Sequence, residues 1–135
     1  MANTLQFDIV TPDRVVFSGP VEYFGAPGLA GDFGVYPGHA AMLAALTIGC
    51  VHFTFGDKQH YAFVNSGFAE VSATKATILA ESAELAENID EARASAAKER
   101  AEARLREHGE ELDLERANAS LRRAISRLNA VKFAN

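Results

Sequence analysis

"VHFTFGDKQHYAFV", residues 51–64, decides the fold of the first part of this chain, because two alternating apolar runs flank a polar segment that contains glycine. In an extended strand every second side chain points to the same face, so each run has one apolar face. With GDKQ as the turn, the stretch predicts an antiparallel hairpin whose Val51, Phe53 and Phe55 side chains face a core.

The residues around this hairpin predict further short strands. The run LQFDIV alternates, with Leu5, Phe7 and Ile9 on one face, and the runs FAEVS and ATILA form another hairpin around ATK. All four prolines lie before residue 38, and nine of the ten glycines lie before residue 69. Many short strands separated by Gly and Pro are typical of an antiparallel sandwich or flattened barrel. We therefore predict an N-terminal antiparallel β-sandwich domain over residues 1–86.

The composition changes after residue 86, where Ala, Glu, Arg and Leu replace the aromatic and turn residues. These residue types favour helices. Asn88 with Glu91 forms an N-cap signature, and Gly109 stands where a first helix is expected to end. We therefore predict a C-terminal two-helix antiparallel hairpin over residues 87–135, and an α+β fold class for the chain.

Alanines dominate the contact that we expect between the two helices. The predicted stripe of the first helix is Ala94, Ala97, Ala101 and Leu105, and that of the second is Leu114, Ala117, Leu121, Ala124, Leu128 and Val131. Each alanine buries about one methyl group, which contributes at most ~0.8 kcal/mol. We therefore expect a hairpin that is only weakly held and that is able to leave the sandwich.

The charge distribution bears on the partners of the chain. A net charge of −5 argues against general nucleic-acid binding. Residues 116–135 carry five basic residues and no acid, so we expect acidic groups against this segment, on the neighbouring helix or on a partner. The start MANTLQFDIV lacks the basic segment of a secretory signal, and the single cysteine, Cys50, fits a reducing compartment. A cytosolic-type protein is expected.

No group of side chains in the sequence predicts catalysis. No Ser, Cys or Thr nucleophile has a recognisable base motif near it, and no GxxxxGK[ST] loop occurs. In the predicted hairpin His52 and His60 fall on opposite faces, so they do not share a metal ion. We therefore predict a protein without enzymatic activity, without a metal site and without a required cofactor.

Two lines of arginines lie beside the alanine stripes on a helical wheel. The first helix carries Arg93, Arg100 and Arg104, and the second carries Arg116, Arg123 and Arg127. If the helices pair through their stripes, several guanidinium groups crowd one edge of the hairpin. Guanidinium groups bind phosphates with two parallel hydrogen bonds, so this edge is either a phosphate site or a solvated surface balanced by nearby glutamates.

Four motifs, in this order along the chain, resemble those of the epsilon subunits of F-type ATP synthases. They are FSG (17–19), GDFGVYPGHAAML (31–43), NSGFAEV (65–71) and IDEARA (89–94). The resemblance covers nearly the whole chain and implies a non-catalytic rotor subunit of the central stalk of the proton-translocating synthase. It further implies a sandwich that links the gamma subunit to the ring of c subunits, in a peripheral position on the cytoplasmic face of the bacterial plasma membrane.

The same resemblance implies roles for particular residues. Contacts with the c-ring and gamma fall on the Gly- and Pro-rich surface loop 31–43, at Asp32, Phe33, Tyr36 and His39. The resemblance implies that a regulatory ATP molecule binds at the [IL]DxxRA motif and its neighbours. These residues are Glu84, Ile89, Asp90, Arg93, Ala94, Arg100, Arg123 and Arg127. When ATP leaves, the hairpin is expected to extend towards the alpha and beta subunits and to restrain ATP hydrolysis. The alternative is a free-standing β-sandwich that binds a small molecule under a helical lid.

Overall fold

The computed structural model describes residues 3–107 and 111–135, without the side chains of residues 111 and 112. The strands are β1 (Leu5–Val10), β2 (Val15–Val21), β3 (Tyr23–Gly28), β4 (Gly31–Val35), β5 (Met42–Phe55), β6 (Lys58–Val71) and β7 (Lys75–Leu85). A 3-10 turn (Ala86–Asn88) leads into the helices α1 (Glu91–Arg106) and α2 (Glu111–Ala134). The helix stop predicted at Gly109 lies outside the described residues.

The seven strands form one sheet in the order β2-β1-β7-β6-β5-β3-β4. The sheet closes on itself, since Phe17 of β2 packs on Phe53 of β5 with the ring centroids 4.5 Å apart. Phe7 and Phe24 stack in the same core at 4.5 Å. The predicted order of a β-sandwich followed by two helices is thereby confirmed.

One strand pair differs from the predicted antiparallel arrangement. β1 pairs in parallel with β7, with Phe7 opposite Ala76 and Ile9 opposite Ile78. The remaining pairs among the described strands are antiparallel. Parallel neighbours need a long connection, and β2 to β6 supply it here, because they lie between β1 and β7 in the chain.

The hairpin of residues 51–64 forms with the predicted faces, but its turn is two residues shorter than predicted, so its register is shifted by two residues. Phe55 pairs with Lys58, so the turn consists of Gly56 and Asp57 alone, with φ angles of 60° and 64°. Two residues with positive φ match the twist of the flanking strands better than the four-residue turn GDKQ. Phe53 lies opposite His60, which confirms that His52 and His60 occupy opposite faces.

Ser66 and Gly67, which both have positive φ, divide β6 into two halves that face in different directions, although the pairing register continues through them. Before these two residues Ala62 and Val64 are buried in the core, and after them Ala69 and Val71 are buried there. Even-numbered residues therefore face inward in one half and odd-numbered residues in the other. As a result, Phe63 and Phe68 point away from the core at different ends of the same strand.

Helix α1 begins two residues later than the predicted cap. The Asp90 carboxylate accepts a hydrogen bond from the backbone N–H of Arg93 at 3.0 Å, so Asp90 and not Asn88 is the N-cap. Asn88 instead ends the 3-10 turn. Asp and Asn are similarly good caps, and the tertiary path of the chain after β7 selects between them.

The alanine stripes pair as predicted. Ala94 and Ala101 of α1 and Ala117 and Ala124 of α2 are buried. Helix α2 also packs on β5, β6 and the 3-10 turn, whereas α1 packs mainly on α2. Ala130 is fully buried although it lies outside the predicted stripe, because α2 has two covered sides.

Candidate functional site

A cavity of about 510 Å³ opens where the end of the sheet meets the two helices. Its walls come from β7, the 3-10 turn, α1 and α2. The lining residues are Glu84, Asn88, Asp90, Arg93, Ala94, Ala97, Arg100 and Arg127. Three guanidinium groups and two carboxylates thus face one enclosed space, and the alanines leave room between them.

The geometry of α1 explains why two of these arginines meet. Arg93 and Arg100 are seven residues apart, which is two helical turns, so both lie on the same side of α1. Asp90 caps the helix at this end, and its carboxylate is held by the Arg93 N–H. Ala94 and Ala97 lie between the two arginines and line the cavity with small side chains.

Arg127 reaches the cavity from α2 and is held in place by the sheet. Its Nε donates a hydrogen bond of 2.7 Å to Glu84 Oε1. Its guanidinium carbon lies 4.3 Å from the centroid of the Phe63 ring, a cation–π contact. Phe63 is fully buried and stands beside Glu84 on the neighbouring strand. This arrangement aims one guanidinium edge into the cavity.

Six of the eight residues predicted for nucleotide binding line this cavity, and Ile89 and Arg123 do not. Arg123 Nη2 donates to Ser120 Oγ of its own helix at 3.0 Å. Phe63 was not among the predicted residues, although the alternation of residues 61–64 placed it on the outer face of the hairpin. The role of Phe63 was missed because the alternation of these residues does not show that α2 covers the outer face.

Helix α2 is attached to the sheet at further points that the sequence did not reveal. Arg122 Nη2 donates to Thr47 Oγ1 at 2.7 Å, and the Cys50 thiol donates to the Ser126 carbonyl at 3.1 Å. Phe133 packs on Tyr61 with centroids 5.8 Å apart. These contacts are polar or partly exposed, and the apolar area that α2 buries against the sheet includes Phe63 and Ala130.

Cys50 offers a direct measurement of this docking. Burial raises the pKa of its thiol to about 11, so we expect alkylation by iodoacetamide at pH 8 to be about 100-fold slower than in the unfolded chain. Arg122→Ala removes the contact with Thr47 and is expected to speed the reaction, whereas Arg104→Ala, at an exposed position of α1, is the control. Equal rates in the folded and unfolded chains would contradict the docked arrangement.

The segment predicted as a contact loop is partly a strand. Gly31–Val35 form β4 at the edge of the sheet, where Phe33 packs half-buried against the core. The prediction of a surface loop is therefore wrong for residues 31–35, because their backbone groups pair with β3. Asp32 is exposed on β4, and Tyr36 follows it, 66% exposed, with its ring 4.6 Å from that of Tyr23.

His39 occupies the loop between β4 and β5. Its Nδ1 lies 2.8 Å from the Ala40 carbonyl, in hydrogen-bond contact. The four predicted contact residues therefore lie in one continuous segment at the β4 side of the sandwich. Asp32 and Tyr36 present the exposed side chains, while Phe33 and His39 are half-buried.

An exposed apolar surface crosses the outer side of the sheet, in the part of β6 that follows Gly67. The strand register places Val15, Val10, Leu79, Phe68 and Ala45 next to one another across five strands. Phe68 is 52% exposed and Leu79 is 44% exposed, and Leu43 precedes Ala45 on the same face of β5. We call this surface the apolar row. Contiguous exposed apolar surface of this kind marks an interaction site.

Within residues 3–107 and 111–135, no helix has both the length and the apolar character needed to cross a membrane. The same described residues contain no group of three His, Cys, Asp or Glu side chains close enough to hold a metal ion.

Comparisons with known proteins converge on one family. Residues 4–86 match the β-sandwich domain of the ATP synthase Delta/Epsilon chain, and residues 87–132 match its long α-helix domain. The ATP synthase epsilon chain of Nitratidesulfovibrio vulgaris (strain DSM 19637 / Miyazaki F) is 54% identical over 94 residues, 70% of each chain. That of Lawsonia intracellularis is 48% identical over 94 residues, 70% of this chain and 71% of the relative.

Two solved structures share the fold. A chain of the Euglena gracilis mitochondrial ATP synthase superposes with a TM-score of 0.81 at 20% identity, covering 99% of this chain and 82% of that one. A chain of the Tetrahymena thermophila mitochondrial ATP synthase central stalk and c-ring gives 0.64 at 12% identity, covering 94% and 96%.

Proposed function

Because this chain belongs to the family of ATP synthase delta/epsilon chains, we propose that it works in the rotor stalk between the gamma subunit and the ring of c subunits. It is an epsilon subunit, a non-catalytic component of a membrane-associated complex. We place it at the cytoplasmic face of the bacterial plasma membrane. Family membership disfavours the alternative of a free-standing sandwich with a helical lid.

The apolar row carries the proposed role in the stalk. Val10, Leu79 and Phe68 lie side by side on three adjacent strands, and the surface around them is not covered by the hairpin, because α2 packs on the other end of β5 and β6. A rigid sheet that exposes adjacent apolar side chains is suited to a permanent protein contact. We assign this surface to the gamma subunit.

Phe68→Glu is expected to weaken association with purified gamma subunit by about 30-fold or more, since a charge in the centre of an apolar contact costs about 2 kcal/mol or more. Association is measured by co-purification and by titration calorimetry. Ile125→Glu is the matched control, because Ile125 is an exposed apolar residue that lies on α2, outside the apolar row. Equal losses in both variants would refute the assignment of the apolar row.

For the c-ring we propose the segment of Asp32, Phe33, Tyr36 and His39. Asp32 and Tyr36 are exposed at the edge of the sheet and offer a carboxylate and an aromatic ring to a partner. Phe33 is anchored in the core and fixes the position of Asp32 beside it. A short, rigid strand presents these groups with less loss of conformational entropy than a flexible loop.

For the cavity between β7, α1 and α2 we propose ATP as a regulatory ligand. Arg93, Arg100 and Arg127 provide the paired donors that phosphate groups favour. ATP bound there contacts α1, α2 and the sheet at once, so it stabilises the docked hairpin. At a concentration of one hundred times its Kd, a ligand stabilises the state that it binds by ~2.7 kcal/mol. This stabilisation is large compared with the contribution that we expect from the alanine seam.

We propose further that the hairpin extends when ATP leaves and then restrains hydrolysis. The last part of α2 carries basic side chains such as Arg122 and Lys132 without an acid in residues 116–135. These charges suit acidic surfaces of the alpha and beta subunits. Release breaks the contacts of α2 at Thr47, Cys50 and Glu84 and uncovers Phe63, and the loss of bound ATP lowers the energetic cost of these changes.

A further inference from the structure

A second cavity, of about 670 Å³, lies between the sheet and the C-terminal half of α2, apart from the arginine cavity. Its floor is the outer face of β5 and β6, around Cys50 and Tyr61. One wall is the β3–β4 edge with Asp32, and the other is α2 with Asn129 and Phe133. We propose that it binds a small planar cation, such as an aromatic amidine or amine, whose charge faces Asp32 and whose ring lies against Tyr61 and Phe133.

The charge of the cavity determines the sign of the ligand. Among the described residues that line it, Asp32 carries the only formal charge at neutral pH. Burial lowers the pKa of His52, although the nearby Asp32 carboxylate opposes that shift, so the imidazole stays neutral. The Asp32 end of the cavity is therefore negative, while the Arg122 guanidinium lies beside Thr47 at another part of the lining; the other cavity has more guanidinium groups than carboxylates. A cation is attracted to one and an anion to the other.

The aromatic side chains determine the shape of the ligand. Tyr61 belongs to the floor and Phe133 to the helix wall, and the two rings pack on each other with their centroids 5.8 Å apart. Faces of such rings attract cations and planar groups. The Gln59 amide, which is hydrogen-bonded to His52 Nδ1 at 3.1 Å, adds a fixed polar group at the rim. A volume of this size suits a small organic molecule.

Such a ligand has a consequence for the hairpin. Because Asp32 and Tyr61 belong to the sheet and Phe133 belongs to α2, an occupant of the cavity binds only when α2 is docked. It therefore stabilises the docked state from the opposite side of α2 to the arginine cavity. Through this second site a cationic metabolite would control the hairpin independently of an anionic nucleotide.

The test uses three nearly isosteric probes: benzamidine, which is a cation, benzamide, which is neutral, and benzoate, which is an anion. Each is titrated into the full chain and followed by ¹H–¹⁵N NMR. Benzamidine is expected to shift the amide signals of Cys50 and Asn129 and to bind about tenfold more tightly than benzamide, while benzoate leaves them unchanged. Benzamidine at ten times its Kd is expected to slow the alkylation of Cys50 about tenfold.

Variants locate the site. Asp32→Asn is expected to reduce the benzamidine affinity about tenfold without changing that of benzamide. Asp13→Asn, in the exposed turn between β1 and β2, serves as the control. Absence of binding by benzamidine at millimolar concentration, equal binding of the three probes, or an unchanged affinity in Asp32→Asn would each overturn the proposal. These readouts use the chain without gamma, the c-ring or ATP, so they test the cavity separately from the contact of Asp32 with the c-ring that we propose above.

Discussion

Arg100→Ala is expected to weaken the binding of ATP to the isolated chain about 10- to 100-fold, and Arg93→Ala to do the same. Both guanidinium groups line the cavity from one side of α1. A hydrogen bond to a charged group contributes about 1.5–3 kcal/mol, which corresponds to this range of affinity. Titration calorimetry at moderate salt measures the effect, and higher salt is expected to weaken binding in the parent chain.

The control for these variants is Arg104→Ala, one turn beyond Arg100 on the same helix and outside the cavity. It removes the same charge from the chain, so it separates a specific contact from general electrostatic attraction. Asp90→Asn preserves the helix cap, because Asn caps as well as Asp does, and tests the carboxylate alone. Unchanged ATP binding in both Arg93→Ala and Arg100→Ala would remove the proposed nucleotide site.

Gly67→Ala is expected to destabilise the sandwich by about 3 kcal/mol or more, because two costs add at this position. Gly67 has a φ of 135°, a conformation that residues with a side chain rarely adopt. A Cβ there would also lie 2.0 Å from the Leu79 carbonyl oxygen and 2.9 Å from Ala80 Cα, both of which are backbone atoms of β7. Relief of this clash requires β6 and β7 to move apart at Gly67.

Urea denaturation measures this effect, with an expected shift of the midpoint by about 1–2 M at an m-value of ~2 kcal/mol/M. Gly31→Ala is the matched control, since Gly31 has a φ of 126° but a Cβ there meets no atom within 4 Å. The Gly31→Ala variant has the backbone strain without the clash, so it is expected to lower the free energy of unfolding by about 1 kcal/mol. Equal stability of the two variants would show that β6 and β7 do not approach each other closely at Gly67.

The candidate site shows how far local patterns extend. Helical spacing beside the alanine stripes pointed to Arg93, Arg100 and Arg127, because it places each on one side of its own helix. Glu84 and Asp90 came from the family resemblance alone, and Glu84 lies 43 positions from its partner Arg127. Phe63 and Thr47 belong to neither category, because their roles depend on the surface that α2 covers.

The fold shows the same division. Alternation along β5 and β6 predicted the central hairpin, but the positive φ angles of Ser66 and Gly67 accompany a reversal of which residues face inward. A period of two in the sequence does not report such a reversal unless the partner strands are known. The apolar row is a product of this reversal, since it brings Phe68 and Leu79 to the outside.

The sequence by itself determined the two-part architecture, the alanine seam and the arginine-rich side of α1, because each depends on residues close together in the chain. Only the tertiary structure decided the parallel pairing of β1 with β7, the docking of α2 over Phe63, and the opposite charges of the two cavities. These features arise where distant segments meet. The free energy of such contacts depends on geometry that no local periodicity encodes.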